Sequence, residues 1–356
     1  MEKSSKILYH LVFFTTLSII VFSLFAIIFP SFLMTTFYPY TTDLQPFESS
    51  VWLVPIVSSN SILLVIGFAY YRKKLPLQIY KGIEFVLNFE ISKKTALLTG
   101  IIILVVYIGF SLPELFVDEA EEWDDYHAVL LPALEIWPST DSDFIHVNEQ
   151  NTRYVKMLLL DTSLDIFQNI KLLPFVSSIL LVVVTFFLTY QITQKRFAGI
   201  ISMVILLQSH TFLHFDTTAV YANFWVLFYV VSLYAINRKW QYSSISYLLS
   251  IFSNAVSAVF FLPSLYYICR ASISARKKLY TLASYAALLI VILSVFSFRE
   301  SIFFDIINIS SSEFFLAFNA LGYTLRYDLI IVLSLLPLTL GLFFKFRKEN
   351  SRKADS

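Results

Sequence analysis

Three shortages mark the chain before any motif is sought. It holds one cysteine, Cys269, in 356 residues. A single thiol cannot close an internal disulfide or build a thiolate metal cluster. Glycine is scarce at seven residues, roughly 2% where ~7% is usual. That speaks against folds resting on close helix contacts or glycine-lined filters. There is no glycine-rich phosphate loop and no dinucleotide fingerprint, so the energy for any chemistry arrives with the substrate. Charge is the third shortage. Asp, Glu, Lys and Arg make up 14% of the chain, against about a quarter in a soluble domain. Together these exclude a soluble enzyme, a disordered chain and a nucleic-acid binder.

What fills the space is apolar. Hydrophobic residues reach 57% and aromatics 17%. They fall in blocks near the length that crosses a bilayer, about 20 residues. The blocks lie at about 8–29, 51–71, 95–112, 173–192, 199–215, 219–236, 279–298 and 328–346. The first follows Glu2, Lys3 and Lys6. It reads as an uncleaved span, being longer than a signal-peptide core and followed by Ser31-Phe32-Leu33-Met34, which offers no small-x-small cleavage site.

The net charge of +1 conceals a sorting. Residues 113–172 carry 13 of the 25 acids and three bases (Arg153, Lys156, Lys171). Basic clusters mark the other connections: Arg72-Lys73-Lys74 with Lys93-Lys94, Lys195-Arg196, Arg238-Lys239, Arg276-Lys277-Lys278, and the tail from Lys345 to Lys353. Under the positive-inside rule these are cytoplasmic. Residues 244–271 lie between two basic loops, with Ser253-Asn254 central and Pro263 further on. This reads as two short helices that enter and return, tolerated where protein surrounds the break. The alternative is one kinked span. The expectation is an all-α, polytopic integral membrane protein of about eight full transmembrane helices plus one short-helix hairpin. It is multi-pass, with N- and C-termini in the cytoplasm. Its external segments are 30–50, 113–172 and 299–327, the last bearing an Asn308-Ile309-Ser310 sequon.

The acidic loop is where chemistry is sought. Seven carboxylates fall within residues 114–125, just past a span. Asp118 is expected at membrane level and partly desolvated. Trp123, Tyr126, Val129, Leu130 and Leu131 interleave with the acids, which suggests helices lying on a surface. Paired carboxylates there suit a general base or a divalent-cation site. Residues 153–167 read as an amphipathic helix with 155, 158, 159, 162, 163 and 166 sharing its apolar face. Arg153, Lys156 and Lys171 can pair with nearby acids or face a phosphate.

The order of these features resembles the GT-C membrane glycosyltransferases, which use sugars carried on a polyprenyl phosphate. The protein mannosyltransferases, the lipid A aminoarabinose transferase and the catalytic subunit of oligosaccharyltransferase belong there. In that family a span ends in an acidic pair, here Asp118-Glu119, with Asp124-Asp125-Tyr126 as a second candidate. An amphipathic helix then meets a basic residue and Leu-Pro, here Lys171-Leu172-Leu173-Pro174. A short basic turn follows, here Lys195-Arg196-Phe197-Ala198-Gly199, and then an external turn, here 214–223. Lys171 stands where Arg is usual, Asn254 near the place of a Lys, and the external turn lacks its Arg.

The resemblance divides the chain into two N-terminal spans with a basic loop (1–94), a GT-C-like core containing loop 113–172 (95–300), and an external loop, last span and tail (301–356). It implies inverting sugar transfer from a polyprenyl-phosphate-linked sugar to a hydroxyl acceptor on the external face. The sequence does not name the acceptor, and the lipid bilayer is the other partner. Asp118 is the expected base, with Glu119 beside it or in its place. Asp124 and Asp125 are expected to bind the acceptor or a divalent cation. Arg153, Lys171 and Arg326 are expected to face the phosphate. A non-catalytic membrane subunit with the same fold is the rival function. A transporter ranks behind both, because the blocks are nearly free of ionisable residues and show no clear repeat. His210 and His214, spaced for one helix face near Asp216, permit a metal, but no third ligand is evident.

Overall fold

The computed structural model describes residues 2–32, 47–136, 153–271, 273–297, 322 and 324–354. Among these residues all regular structure is helical. In chain order the helices are α1 (Glu2–Ile28), α2 (Leu53–Tyr71), α3 (Leu77–Asn88), α4 (Lys93–Ser111), α5 (Glu119–Glu122), α6 (Leu131–Ile136) and α7 (Tyr154–Phe167). There follow α8 (Leu172–Thr193), α9 (Arg196–Leu207), α10 (His210–His214), α11 (Phe224–Arg238), α12 (Gln241–Ser253), α13 (Phe261–Arg270), α14 (Ala275–Ser297) and α15 (Leu329–Ala354). Residues 33–46 of the 30–50 loop, 137–152 of the acidic loop and 298–321 with Asn308 lie outside the described residues.

Among the described residues four stretches are long and apolar enough to cross a membrane: Tyr9–Ile28, Leu53–Tyr71, Lys93–Phe116 and Leu172–Thr193. They are compatible with a membrane protein. The blocks expected at 199–215 and 219–236 give shorter helices. The 12 residues of α9 and 15 of α11 span only about 18 and 22 Å, against a hydrocarbon core of about 30 Å. Between them the backbone is irregular apart from α10. It is held there by side chains: Thr218 donates to the His214 carbonyl at 3.2 Å and Asn223 to the Phe215 carbonyl at 3.1 Å. Residues 216–220 are all buried, so protein supplies what lipid cannot.

The chain divides into two compact units. The first comprises 1–89, 209–211 and 306–356. Its core is Ile20, Leu24, Ile27 and Ile28 of α1, Ile56 of α2 and Val332 of α15. The polar patch in α2 is explained by α15. Pro337 interrupts α15, and its missing N–H leaves the carbonyl of Leu333 without a helical donor. Ser59 donates to that carbonyl at 2.8 Å, and Asn60 to Val332 one residue earlier at 3.0 Å. In a bilayer such bonds hold helices that hydrophobic burial cannot.

The second unit comprises 90–208 and 212–305. Ser92 caps α4 by accepting the amide of Thr95 at 3.1 Å. A core of Tyr107, Phe175, Leu181, Val182, Ile200, Met203 and Leu227 joins α4, α8, α9 and α11. Scarce glycine is used here after all: a Cβ on Gly199 would sit 2.7 Å from the ring of Phe186. Helices α11 and α12 meet through small hydroxyl residues. Ser243, Ser244, Ser246, Ser250 and Ser253 are all buried on α12. Ser243 reaches the carbonyl of Ser232 at 2.9 Å, and Ser250 that of Trp225 at 2.7 Å.

The 244–271 stretch is broken at Asn254. That residue adopts an extended backbone, and its side chain accepts the amide of Val256 at 3.1 Å, ending α12 and starting the 3-10 turn Ala255–Phe260. Pro263 sits in the first turn of α13, where its missing N–H costs nothing.

Candidate functional site

The acidic loop folds as a series of short turns against α7 and the 214–223 segment. Pro113 opens a 3-10 turn, Leu112–Phe116. Asp118 then caps α5, its Oδ1 accepting the amide of Ala120 at 3.0 Å. Asp118 is uncovered by protein, and the desolvation expected of it falls on its neighbour. Glu119 is 3% exposed. Its Oε1 accepts two successive amides, Ala219 at 2.8 Å and Val220 at 2.9 Å. Burial pushes the Glu119 carboxyl above the usual range, while those amides and Lys171 pull against the shift. Adjacent residues in a turn point in different directions, so one carboxylate is swallowed and the other presented.

Lys171 is 2% exposed. Its Nζ lies 2.6 Å from Glu122 Oε2 and 3.7 Å from Glu119 Oε2, and donates to the carbonyl of Glu114 at 3.3 Å. The phosphate ligand expected here is instead engaged by two carboxylates that flank it. Asn169 supports the corner, its side chain accepting the amide of Lys171 at 2.9 Å and donating to the carbonyl of Leu115 at 2.9 Å. Gln168 ends α7 in the left-handed region, φ 55°.

Helix α7 buries Lys156, Met157, Leu160 and Ser163. Of the face expected from 155, 158, 159, 162, 163 and 166, Ser163 is buried, Val155, Leu159 and Thr162 are half-buried, and Leu158 and Ile166 are exposed. The aliphatic stem of Lys156 packs like an apolar residue, and its amine donates to the carbonyl of Val220 at 2.5 Å. Burial pulls the Lys156 amine down to about 7, aided by Arg153 and opposed by Glu119. The peptide of Val220 thus meets Lys156 at its residue's carbonyl and Glu119 at its amide.

A second polar knot holds the 214–223 segment from beneath. Asp216 is fully buried; its Oδ2 accepts Ser111 at 2.9 Å and its backbone carbonyl accepts Ser178 at 2.8 Å. Burial raises the Asp216 carboxyl to about 6, against the nearby hydroxyls of Tyr107 and Ser111, which lower it. Thr217 donates to Glu114 at 3.1 Å.

The remaining expected residues are dispersed. Asp124 and Asp125 are exposed, and Asp125 accepts the hydroxyl of Tyr221. Tyr221, His214 and Phe215 stand around Trp123, with ring centroids 5.0, 5.1 and 5.6 Å away. Arg153 begins α7 and is half-buried. Arg326 belongs to the first unit, where its Nη2 donates to Tyr327 at 2.7 Å and its guanidinium lies 4.7 Å from that ring. Among the described residues no three His, Cys, Asp or Glu side chains gather as a metal requires. His210 packs at a tilt against Tyr327, and His214 against Trp123. Glu114 and Glu122 are the site residues that sequence reasoning did not single out from the run of acids. Comparison with protein-family models, curated proteins and solved structures finds no match for the chain.

Proposed function

We propose that the chain is a GT-C-type membrane glycosyltransferase with about eight crossing helices, of which α9 and α11 are short, and one hairpin. It transfers a sugar from a polyprenyl phosphate to an acceptor hydroxyl on the external face, with inversion. The observation that carries this reading is the division of labour in Asp118-Glu119. Glu119 is consumed in holding the loop to Ala219 and Val220, and Asp118 beside it stays uncovered on that anchored turn. Two neighbouring carboxylates in opposed environments are a common arrangement for a base and its support. In this mechanism Asp118 takes the proton of the acceptor hydroxyl. The oxygen attacks the anomeric carbon, and the bond to the lipid phosphate breaks with its electron pair leaving on the phosphate. Asp124 and Asp125 border the acceptor side. Arg153 serves the phosphate, and Lys171 positions Glu119.

The engagement of Lys171 by Glu119 and Glu122 favours a second reading, a non-catalytic membrane subunit with the same fold. One substitution separates the two. Asn caps a helix as well as Asp does, so Asp118→Asn removes the charge and keeps the turn. Membranes carrying the protein are supplied with labelled polyprenyl-phosphate sugar and scored for transfer. Glycosyl transfer by the native chain, abolished in Asp118→Asn at equal protein level, is the expected result. Transfer unchanged in Asp118→Asn would remove Asp118 as the base, and no transfer by the native chain would favour the subunit.

A further inference from the structure

We propose that α3 lies flat on the membrane surface and docks on anionic lipid headgroups. Three observations meet in this helix. It is amphipathic: Ile79, Ile83 and Val86 recur at i, i+4 and i+7, while Lys81, Glu84 and Asn88 share the opposite side. Its apolar side is left largely open among the described residues. No residue of α3 is buried; Ile79 and Val86 are 51 and 59% exposed, and Ile83 is half-buried. A side of that character needs a cover.

Chain length says what the cover is. Helices α2 and α4 are both long and apolar enough to span a bilayer. Only residues 72–76 join α2 to α3, and only 89–92 join α3 to α4. Such linkers reach at most about 18 and 14 Å, so α3 cannot leave the membrane surface where its neighbours end. Its departure from α2 is also set. Lys73 takes a left-handed turn, φ 55°, and Tyr80 of α3 stacks on Tyr70 of α2 at 5.2 Å.

Charge says which lipid. Residues 72–94 contain six bases (Arg72, Lys73, Lys74, Lys81, Lys93, Lys94) and two acids, Glu84 and Glu90. Glu90 is taken by Arg196 at 3.3 Å. Each base near an anionic surface is worth about 1 kcal/mol, and an amphipathic helix adds its apolar burial. Two signals of this kind act together on one short segment.

The proposal rests on the membrane-spanning reading of α2 and not on any enzymatic activity. The test uses the full chain with Cys269→Ser, reconstituted in vesicles of phosphatidylcholine alone or mixed with phosphatidylglycerol. A fluorophore is placed at Ile79→Cys, Val86→Cys, Gln78→Cys or Lys81→Cys, and at Val65→Cys within α2 as reference. Shallow spin-labelled lipid should quench positions 79 and 86 several-fold more than 78 and 81. Phosphatidylglycerol should increase that quenching, and Lys73→Gln/Lys74→Gln/Lys81→Gln should remove the increase. Equal aqueous quenching at all four positions, with position 65 still lipid-quenched, would overturn the docking of α3 and leave the span intact. Shielding from water without lipid quenching would mean a protein cover and overturn it too. Indifference to phosphatidylglycerol would overturn the anionic preference. An absence of lipid quenching at position 65 would overturn the spanning reading itself.

Discussion

The anchoring of Glu119 can be separated into its charge and its hydrogen bonds. The charge term looks large at first. At an effective dielectric near 20, unit charges 3.7 Å apart, as for Glu119 and Lys171, attract by about 4–5 kcal/mol. Yet burial raises the Glu119 carboxyl despite Lys171 and the two amides. A raised carboxyl means the fold prefers the neutral form relative to water, so the desolvation cost exceeds the attraction. Lys171 moreover keeps Glu122 at 2.6 Å when Glu119 loses its charge. Glu119→Gln should therefore change stability by less than about 1 kcal/mol, because the amide oxygen still accepts both backbone N–H groups. Glu119→Ala leaves the amides of Ala219 and Val220 buried and unpaired, at about 1–3 kcal/mol each. The expected cost is about 2–6 kcal/mol. Thermal unfolding of the detergent-solubilised chain gives the comparison directly. If Gln proved as damaging as Ala, the ion pair with Lys171 would be the anchor and the backbone clamp secondary.

The same reasoning extends to three other places. Asp216, raised from 3.8 to about 6, keeps a proton between those values that the unfolded chain has lost. Its contribution to stability therefore falls as pH rises through that window and stays low above it, by about 3 kcal/mol. Asp216→Asn should flatten this slope and raise the melting temperature near neutral pH; an unchanged slope would place the titration elsewhere. Gly199→Ala puts a methyl 2.7 Å from the ring of Phe186 and 3.1 Å from its carbonyl. Overpacking should cost about 1–3 kcal/mol, partly relieved by Phe186→Leu in a double-mutant melt. Ser59→Ala should cost about 0.6–1 kcal/mol, and less in a Pro337→Ala background, where the Leu333 carbonyl regains a helical donor. Equal costs in both backgrounds would dissociate Ser59 from the proline.

Composition and order alone determined that the chain is helical and apolar in blocks, and that its polar chemistry concentrates after residue 112. The break at Asn254 was visible too, since Ser253-Asn254 stands at the centre of a stretch whose two flanks are both basic. These are local properties, carried by residue type and spacing over one or two turns. What the tertiary structure decided depends on which distant groups arrive. That Glu119 and not Asp118 is desolvated follows from the amides of Ala219 and Val220, a hundred residues away in sequence. That Lys171 is an internal counter-ion follows from Glu122 and Glu119 folding back over it. Lys156 joined the buried side of α7 because it has a long apolar stem and found a carbonyl for its amine. Apolar content likewise marked 199–236 as two spans, but the buried Asp216 and its hydroxyl partners hold the backbone between them out of helix. A charge or an amide reads as polar in any sequence, and only its partners decide whether it faces water or closes the core.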